Sequence, residues 1–207
     1  KSVMSYNVSY FGIVILAAGS SRRMGKPKQL LAFEGTTLLN RVMSLACQSS
    51  DNPVIVVLGA NADVIKENLT VSRAEVIVNE GWEEGMASSL RKGLVEMNER
   101  YPEVDGVMIL VGDQPYLNKQ YIQQLLEAQN KSGLPIAACS YKGIIGTPVL
   151  FHKSVFQELM ALQGDVGAKK IIQNRKQDVV TVLFDKGIVD IDTPEDYENL
   201  LNDNLNK

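Results

Sequence analysis

The sequence holds very little cysteine and histidine: two cysteines and one histidine among 207 residues. Cys47 and Cys139 lie far apart in apolar surroundings and His152 stands alone, so they build no zinc cluster. Both thiols read as core residues of a protein in a reducing, cytoplasmic compartment. Long apolar runs are missing too; none approaches the roughly 20 residues of a membrane span. No charge of one sign dominates, with 21 Lys and Arg against 24 Asp and Glu, net −3. Such a chain attracts neither nucleic acid nor an anionic membrane through its overall field. An anionic substrate would have to be held by local groups. No repeat or low-complexity segment is present. Residues 1–10 are polar and lack an apolar signal core, so a disordered tail or tag remnant is expected there rather than an export signal.

What is present is ordinary globular composition, 45% hydrophobic and 22% charged, at a length that suits one domain over residues 11–207. Short β-branched runs alternate with longer amphipathic ones. Strands are expected over residues 11–17, 53–58, 74–78, 104–111 and 134–140, and helices over 36–48, 62–69, 86–100 and 118–131. After residue 140 the rhythm changes, with strands over 147–151 and 179–184 and helices over 154–162, 168–174 and 194–201. This alternation predicts an α/β fold, a mostly parallel Rossmann-like sheet covered by helices on both faces. Ligands of such sheets sit beyond the carboxyl ends of the strands, where strand order switches.

The residues directly after each strand therefore carry the chemistry. The first strand runs into Leu16, Ala17, Ala18, Gly19, Ser20 and Ser21, whose small side chains let backbone amides approach phosphate oxygens. Gly19 and Gly25 can adopt backbone angles closed to other residues. Arg22, Arg23, Lys26 and Lys28 add four positive charges within seven residues. Neither a Walker loop nor a dinucleotide fingerprint fits the glycine spacing. Asp113 follows the strand ending at Val111 and points into the expected crevice. Asp190 and Asp192 share one face of an extended segment, and either can help hold a metal. Thr193 is placed to cap the last helix, with Glu195 near its dipole. In the middle of the chain, Gly85 leaves helix amides free, and Ser88 and Ser89 offer hydroxyls that can read a base edge. Trp82 is placed either to line the site or to plug the surface.

Residues Leu16, Ala17, Ala18, Gly19, Ser21, Arg23, Met24, Gly25 and Lys28 resemble the signature of the molybdenum cofactor cytidylyltransferases within the nucleotidyltransferase superfamily. The resemblance implies a nucleotide-diphospho-sugar transferase-like fold, with Arg23 and Lys28 holding a triphosphate and acting in catalysis with Asp113. It pairs Asp113 with Asp192 as ligands of Mg2+. It assigns base recognition to Asn79, Gly85, Met86, Ser88 and Ser89. It assigns the acceptor to Gly146, Thr147 and Pro148, where Thr147 replaces the family's usual histidine, and to Gly164 and Asp165. Ala18, where the guanylyl branch has glycine, favours CTP.

The implied reaction is transfer of CMP from CTP to the phosphate of molybdenum-molybdopterin, releasing pyrophosphate. A molybdenum-enzyme apoprotein is an implied partner; nucleic acid and membrane are not. Two alternatives stand beside it: another phosphorylated acceptor, such as a sugar phosphate, and a non-catalytic nucleotide-binding cofactor adaptor.

Overall fold

The computed structural model describes residues 5–49, 51–71 and 73–205. Its centre is a seven-stranded sheet built from β1 (Phe11–Ala17), β4 (Val54–Leu58), β5 (Glu75–Val78), β6 (Gly106–Val111), β7 (Ile136–Tyr141), β8 (Ile144–His152) and β9 (Val179–Leu183). A two-stranded ribbon, β2 (Ala32–Phe33) and β3 (Thr36–Thr37), lies apart. The sheet order is β5-β4-β1-β6-β8-β7-β9. Only β8 runs against its neighbours, so the expectation of a mostly parallel sheet holds. The five residues of β4 are all buried, as a parallel strand covered on both faces requires.

Helices cover both faces. On one lie α1 (Leu38–Ser49), α2 (Ala62–Glu67) and α4 (Lys119–Ser132), which bury Leu39, Val42, Met43, Ile65, Ile122 and Leu125 against Ile13, Ile15 and Val56. On the other lie α3 (Met86–Arg100), α5 (Phe156–Met160) and α6 (Lys169–Asn174), which bury Leu90, Leu94, Leu159 and Ile171 against Val14, Val57 and Phe151. Gly93 sets the depth of α3: a Cβ there would lie 2.5 Å from Val14 Cγ1. The last helix, α7 (Pro194–Leu205), packs Leu200 into a small third cluster with Met24, Leu31, Phe33 and Ile191. Among the described residues no helix is long and apolar enough to cross a membrane.

Several boundaries differ from the sequence reading. The helix expected over 36–48 begins at Leu38, because Thr36 and Thr37 pair with β2 and the Thr37 Oγ1 accepts the Asn40 amide at 3.2 Å. β8 begins three residues before the expected strand, in a hairpin whose turn residues Lys142 and Gly143 take φ 46° and 81°. Asn118 caps α4 as expected, accepting the Gln120 amide at 3.0 Å. Thr193 caps α7 as expected, accepting the Asp196 amide at 3.2 Å, and Asp196 completes the box by accepting the Thr193 amide at 2.8 Å, with Glu195 in the first turn. Both cysteines are buried, and burial pushes the Cys139 thiol up to about 12.

The disordered tail expected over residues 1–10 is corrected for residues 5–10; residues 1–4 lie outside the described residues. Val8 is buried against Gly106, which has no Cβ to exclude it. The Val8 amide donates to Asn130 Oδ1 at 2.8 Å, and its carbonyl accepts Asn130 Nδ2 at 2.9 Å. The Asp105 carboxylate takes the amides of Ser9 and Tyr10, each at 3.1 Å. Val3, Met4 and Val8, scattered among polar residues and tyrosines, leave no periodicity to read.

His152 closes β8, its ring edge-on to Tyr6 with centroids 5.3 Å apart and its Nδ1 accepting the Ser154 amide at 3.1 Å. Burial lowers its pKa; Asp105 opposes that shift and Lys153 adds to it. A lowered pKa means the unfolded chain takes the proton first. Stability is therefore unaffected above pH 6.5 and falls as pH drops from there to the lowered folded value. His152→Asn keeps an acceptor for the Ser154 amide and removes the titration. Denaturant unfolding between pH 7.5 and 5.5 should show a loss of stability in the wild type that flattens in this variant.

Candidate functional site

Strand order switches at β1, whose neighbours β4 and β6 are reached by crossovers in opposite directions, and a cavity of about 300 Å³ opens beyond the carboxyl ends there. Leu16, Ala17, Ala18, Gly19 and Ser20 form one wall, Lys28 and Asp113 the floor, and Gly85, Met86, Ser89 and Asp165 the opposite wall.

The first wall has a distinctive polarity. Its successive carbonyls turn into the protein: Leu16 O accepts the Gly112 amide at 3.0 Å and Ala18 O the Ala60 amide at 3.1 Å. The Gln29 Nε2 donates to Ala17 O at 2.9 Å and to Gly19 O at 3.1 Å. Among the described residues, the amides of Gly19, Ser20 and Ser21 donate to no protein acceptor. A loop with its carbonyls turned inward and free amides outward suits an anion. Gly25 takes φ 71°, as expected, whereas Gly19 needs no positive φ and has open space where a Cβ would stand. At Gly19 the absent side chain leaves the amide approachable.

On the floor, Lys28 Nζ lies 2.5 Å from Asp113 Oδ2 and 3.4 Å from Asp192 Oδ1. Arg23 Nη2 meets Asp192 Oδ2 at 2.5 Å from an exposed position on the rim, outside the cavity lining. Burial opposes the Lys28 charge, but Asp113, through charge and hydrogen bond, then Asp190 and Asp192 outweigh it and raise its pKa. The Asp190 carboxyl is also raised: desolvation is the largest cause, Asp192 and Asp113 add to it and Lys28 partly offsets it. Asp190 makes no ion pair with Lys28, so of the two candidates only Asp192 shares the lysine with Asp113.

Two carboxylates converging on one cation provide hard oxygen donors of the kind divalent ions take, so the residues fit such a metal. Among the described residues no group of three or more His, Cys, Asp and Glu can cage one alone. That suits an ion whose shell is completed by phosphates and water. Three carboxylates against two cations also leave the cluster net negative, and a triphosphate entering it needs a further positive charge.

The opposite wall joins segments expected to serve different substrates. Gly85 takes φ 106° and ψ −178°, and a Cβ there would lie 2.5 Å from the Gly164 carbonyl carbon. Gly164 O accepts the Ala87 amide at 3.1 Å, and Asp165 Oδ1 accepts the Met86 amide at 3.4 Å. The Asp165 carboxylate thus sits on the positive end of α3, whose amides it neutralises. Gly164 and Asp165, expected on the acceptor side, are packed against the segment expected to read the base. Trp82 lines the cavity rather than plugging the surface, its Cβ close over Gly59, where an added Cβ would lie 2.6 Å away.

Other expected residues are spent internally. Asn79 and Ser88 are buried behind the wall: Asn79 Nδ2 donates to Ser88 Oγ at 2.8 Å and Ser89 Oγ at 3.0 Å, and Ser88 Oγ donates to Gly85 O at 2.8 Å. They brace the turn and do not face the cavity. Ser21 accepts the Lys28 amide at 3.1 Å and is likewise outside the lining. Gly146, Thr147 and Pro148 also lie outside it; Thr147 O accepts Gln114 Nε2 at 3.0 Å, one residue from Asp113. The sequence reading missed Gln29, a polar residue followed by the apolar Leu30 and Leu31; a polar side chain entering an apolar run was the signal available.

The chain matches the MobA-like NTP transferase domain over residues 13–179. It is 29% identical to the purine catabolism protein PucB of Bacillus subtilis, over 89% of this chain and 93% of PucB. It is 24% identical to the molybdenum cofactor cytidylyltransferase of Escherichia coli, over 92% and 95% of the two chains. Among solved structures it superposes on Rv0371c of Mycobacterium tuberculosis with a TM-score of 0.83 and 31% identity, over 95% of this chain and 99% of that one. A second structure of Rv0371c, in complex with manganese, gives 0.78 and 30% over 94% and 99%. With its nucleotide-diphospho-sugar transferase architecture and this site, the chain belongs to the family of MobA-like NTP transferase domains and is a nucleotidyltransferase.

Proposed function

We propose that this nucleotidyltransferase moves CMP from CTP to the phosphate of a molybdopterin-type acceptor carrying molybdenum. The observation that carries the reading is Lys28 held between Asp113 and Asp192 at the foot of a loop with free amides. A phosphate oxygen of the acceptor attacks the α-phosphorus, the bond from that phosphorus to the bridging oxygen breaks, and pyrophosphate leaves with the electron pair. The acceptor brings its own anionic oxygen, so no protein nucleophile is needed and the residues contribute positioning and charge. The loop amides, Lys28 and Arg23 hold the triphosphate. Asp113 and Asp192 hold a divalent metal, proposed as Mg2+, which supplies charge neutralisation on the phosphates. The manganese complex of Rv0371c supports a divalent ion. The cytidylyl donor and the molybdopterin acceptor draw support from the Escherichia coli relative's name. The two buried free thiols agree with a cytoplasmic enzyme.

Thr147 favours keeping a second acceptor class in view, a sugar phosphate or other phosphorylated alcohol, since this position carries histidine in the family it resembles. The test is pyrophosphate release with CTP, GTP, ATP and UTP in magnesium, with and without molybdenum-loaded molybdopterin. Release from CTP only with that acceptor is the expected result. Release from CTP with a sugar phosphate alone would move the acceptor assignment, and release from GTP alone would move the donor.

A further inference from the structure

Gln29 is 2% exposed, and every polar atom of its side chain is engaged with the loop that follows β1. Its amide nitrogen has two hydrogens, and the structure sends one to Ala17 O and the other to Gly19 O. Its Oε1 accepts from the Ser21 hydroxyl at 3.4 Å, and the Ser21 Oγ in turn accepts the Lys28 amide at 3.1 Å. The loop is therefore wound around one buried amide, and the ring closes on the backbone of the lysine that reaches Asp113.

We propose that Gln29 is the positioning residue for phosphate: by holding the carbonyl of Gly19 inward, it keeps the amide of Ser20, in the same peptide unit, turned toward the phosphate oxygens of the nucleotide. The inference rests on reading the cavity as a nucleoside triphosphate site. The physical argument is one of peptide orientation. Carbonyl and amide of a peptide unit point in opposite directions, so a carbonyl pinned to the interior presents the next amide outward. Without the donor, the Gly19 carbonyl loses its partner while that of Ala17 keeps its place in the β1–β4 ladder, and an unpaired carbonyl turns to find water. At Gly19 nothing hinders that turn, because the position is exposed and has open space on its Cβ side. A carbonyl that rotates there places negative oxygen where phosphate belongs. An apolar side chain of similar length fills the space but donates nothing. A glutamate accepts from Ser21 but faces two carbonyls with a negative charge.

The experiment compares wild type, Gln29→Met and Gln29→Glu in calorimetric binding of inorganic tripolyphosphate, CTP and cytidine, with thermal melts of each protein. Gln29→Met should bind tripolyphosphate and CTP about tenfold to a hundredfold more weakly, the scale of a lost buried hydrogen-bond pair. Cytidine, which has no phosphate, should bind as it does to wild type. KM for CTP should rise more than kcat falls, and Gln29→Glu should lose more than Gln29→Met. In wild type, NMR should show the amide of Ser20, with that of its neighbour Gly19, shifting on addition of tripolyphosphate. Equal tripolyphosphate affinity in Gln29→Met and wild type overturns the inference. So does a loss of cytidine binding in step with tripolyphosphate. If neither variant folds, wild-type amides that ignore tripolyphosphate overturn it. A wild type that binds neither CTP nor tripolyphosphate instead sinks the nucleotide reading itself.

Discussion

Asp113→Asn is expected to lower pyrophosphate release by a factor of about 10² to 10³ while leaving the fold intact, the scale seen when a group aimed at developing charge is removed. Asparagine keeps the shape of the side chain at the end of β6 and keeps an acceptor for Lys28, which retains Asp192 as its charged partner. What it removes is one of the two carboxylate charges that converge on Lys28. The proposal places a divalent ion there, and a neutral amide is a far weaker ligand for a hard cation. The melt should therefore stay close to wild type, and the activity should not recover at saturating CTP. Adding manganese should restore part of it, because that ion tolerates weaker oxygen ligands better than magnesium does. Turnover within threefold of wild type would show that Asp113 holds no catalytic metal.

Gly85→Ala should damage both stability and substrate binding. The backbone there, φ 106° and ψ −178°, lies in a region that essentially only glycine occupies, and forcing alanine into it costs about 1–3 kcal/mol. The new methyl would also stand 2.5 Å from the carbonyl carbon of Gly164 and 2.6 Å from the amide nitrogen of Asp165. Backbone cannot rotate away as a side chain can, so overpacking adds about 1–3 kcal/mol more. The loop carrying Asp165 must move off α3, and the wall of the cavity opens with it. A lower melting temperature together with a raised KM for CTP is expected. A lower melt with unchanged KM would mean that this wall does not touch the nucleotide. Ala87, buried on the same helix away from the cavity lining, offers a comparison site for stability alone.

Much of the frame could be read from one dimension. The uniform apolarity of Val54–Leu58 marks a strand buried on both faces, and the helical spacing of Leu38, Leu39, Val42, Leu45 and Ala46 marks a helix with one apolar face. The loop from Leu16 to Lys28 carried its chemistry openly, because small residues and clustered charge directly after a strand are local features. The position of Asp113 directly after β6, beside that loop, was legible for the same reason.

Other parts depended on partners distant in the chain. Val8 is buried only because Gly106 and Asn130 stand beside it, about a hundred positions away. Asp190 and Asp192 are equivalent by alternation alone; the family resemblance names Asp192, and only the tertiary structure shows that it is Asp192 that approaches Lys28. Asn79 and Ser88 look like base readers until their hydrogen bonds to each other and to the turn are seen. Asp165 was assigned to the acceptor, yet the conformation of Gly85 brings it onto the end of α3. Gln29 gave no charge to notice, and its importance lies in two carbonyls ten and twelve residues earlier.

The sequence by itself determined the layers, the family signature and the position of the first loop, because each rests on periodicity or on neighbouring residues. The tertiary structure decided which carboxylate shares Lys28, which polar groups face the cavity and which are spent behind it. Those outcomes are set by hydrogen-bond satisfaction and close packing between segments far apart in the chain, and no spacing along the chain encodes them.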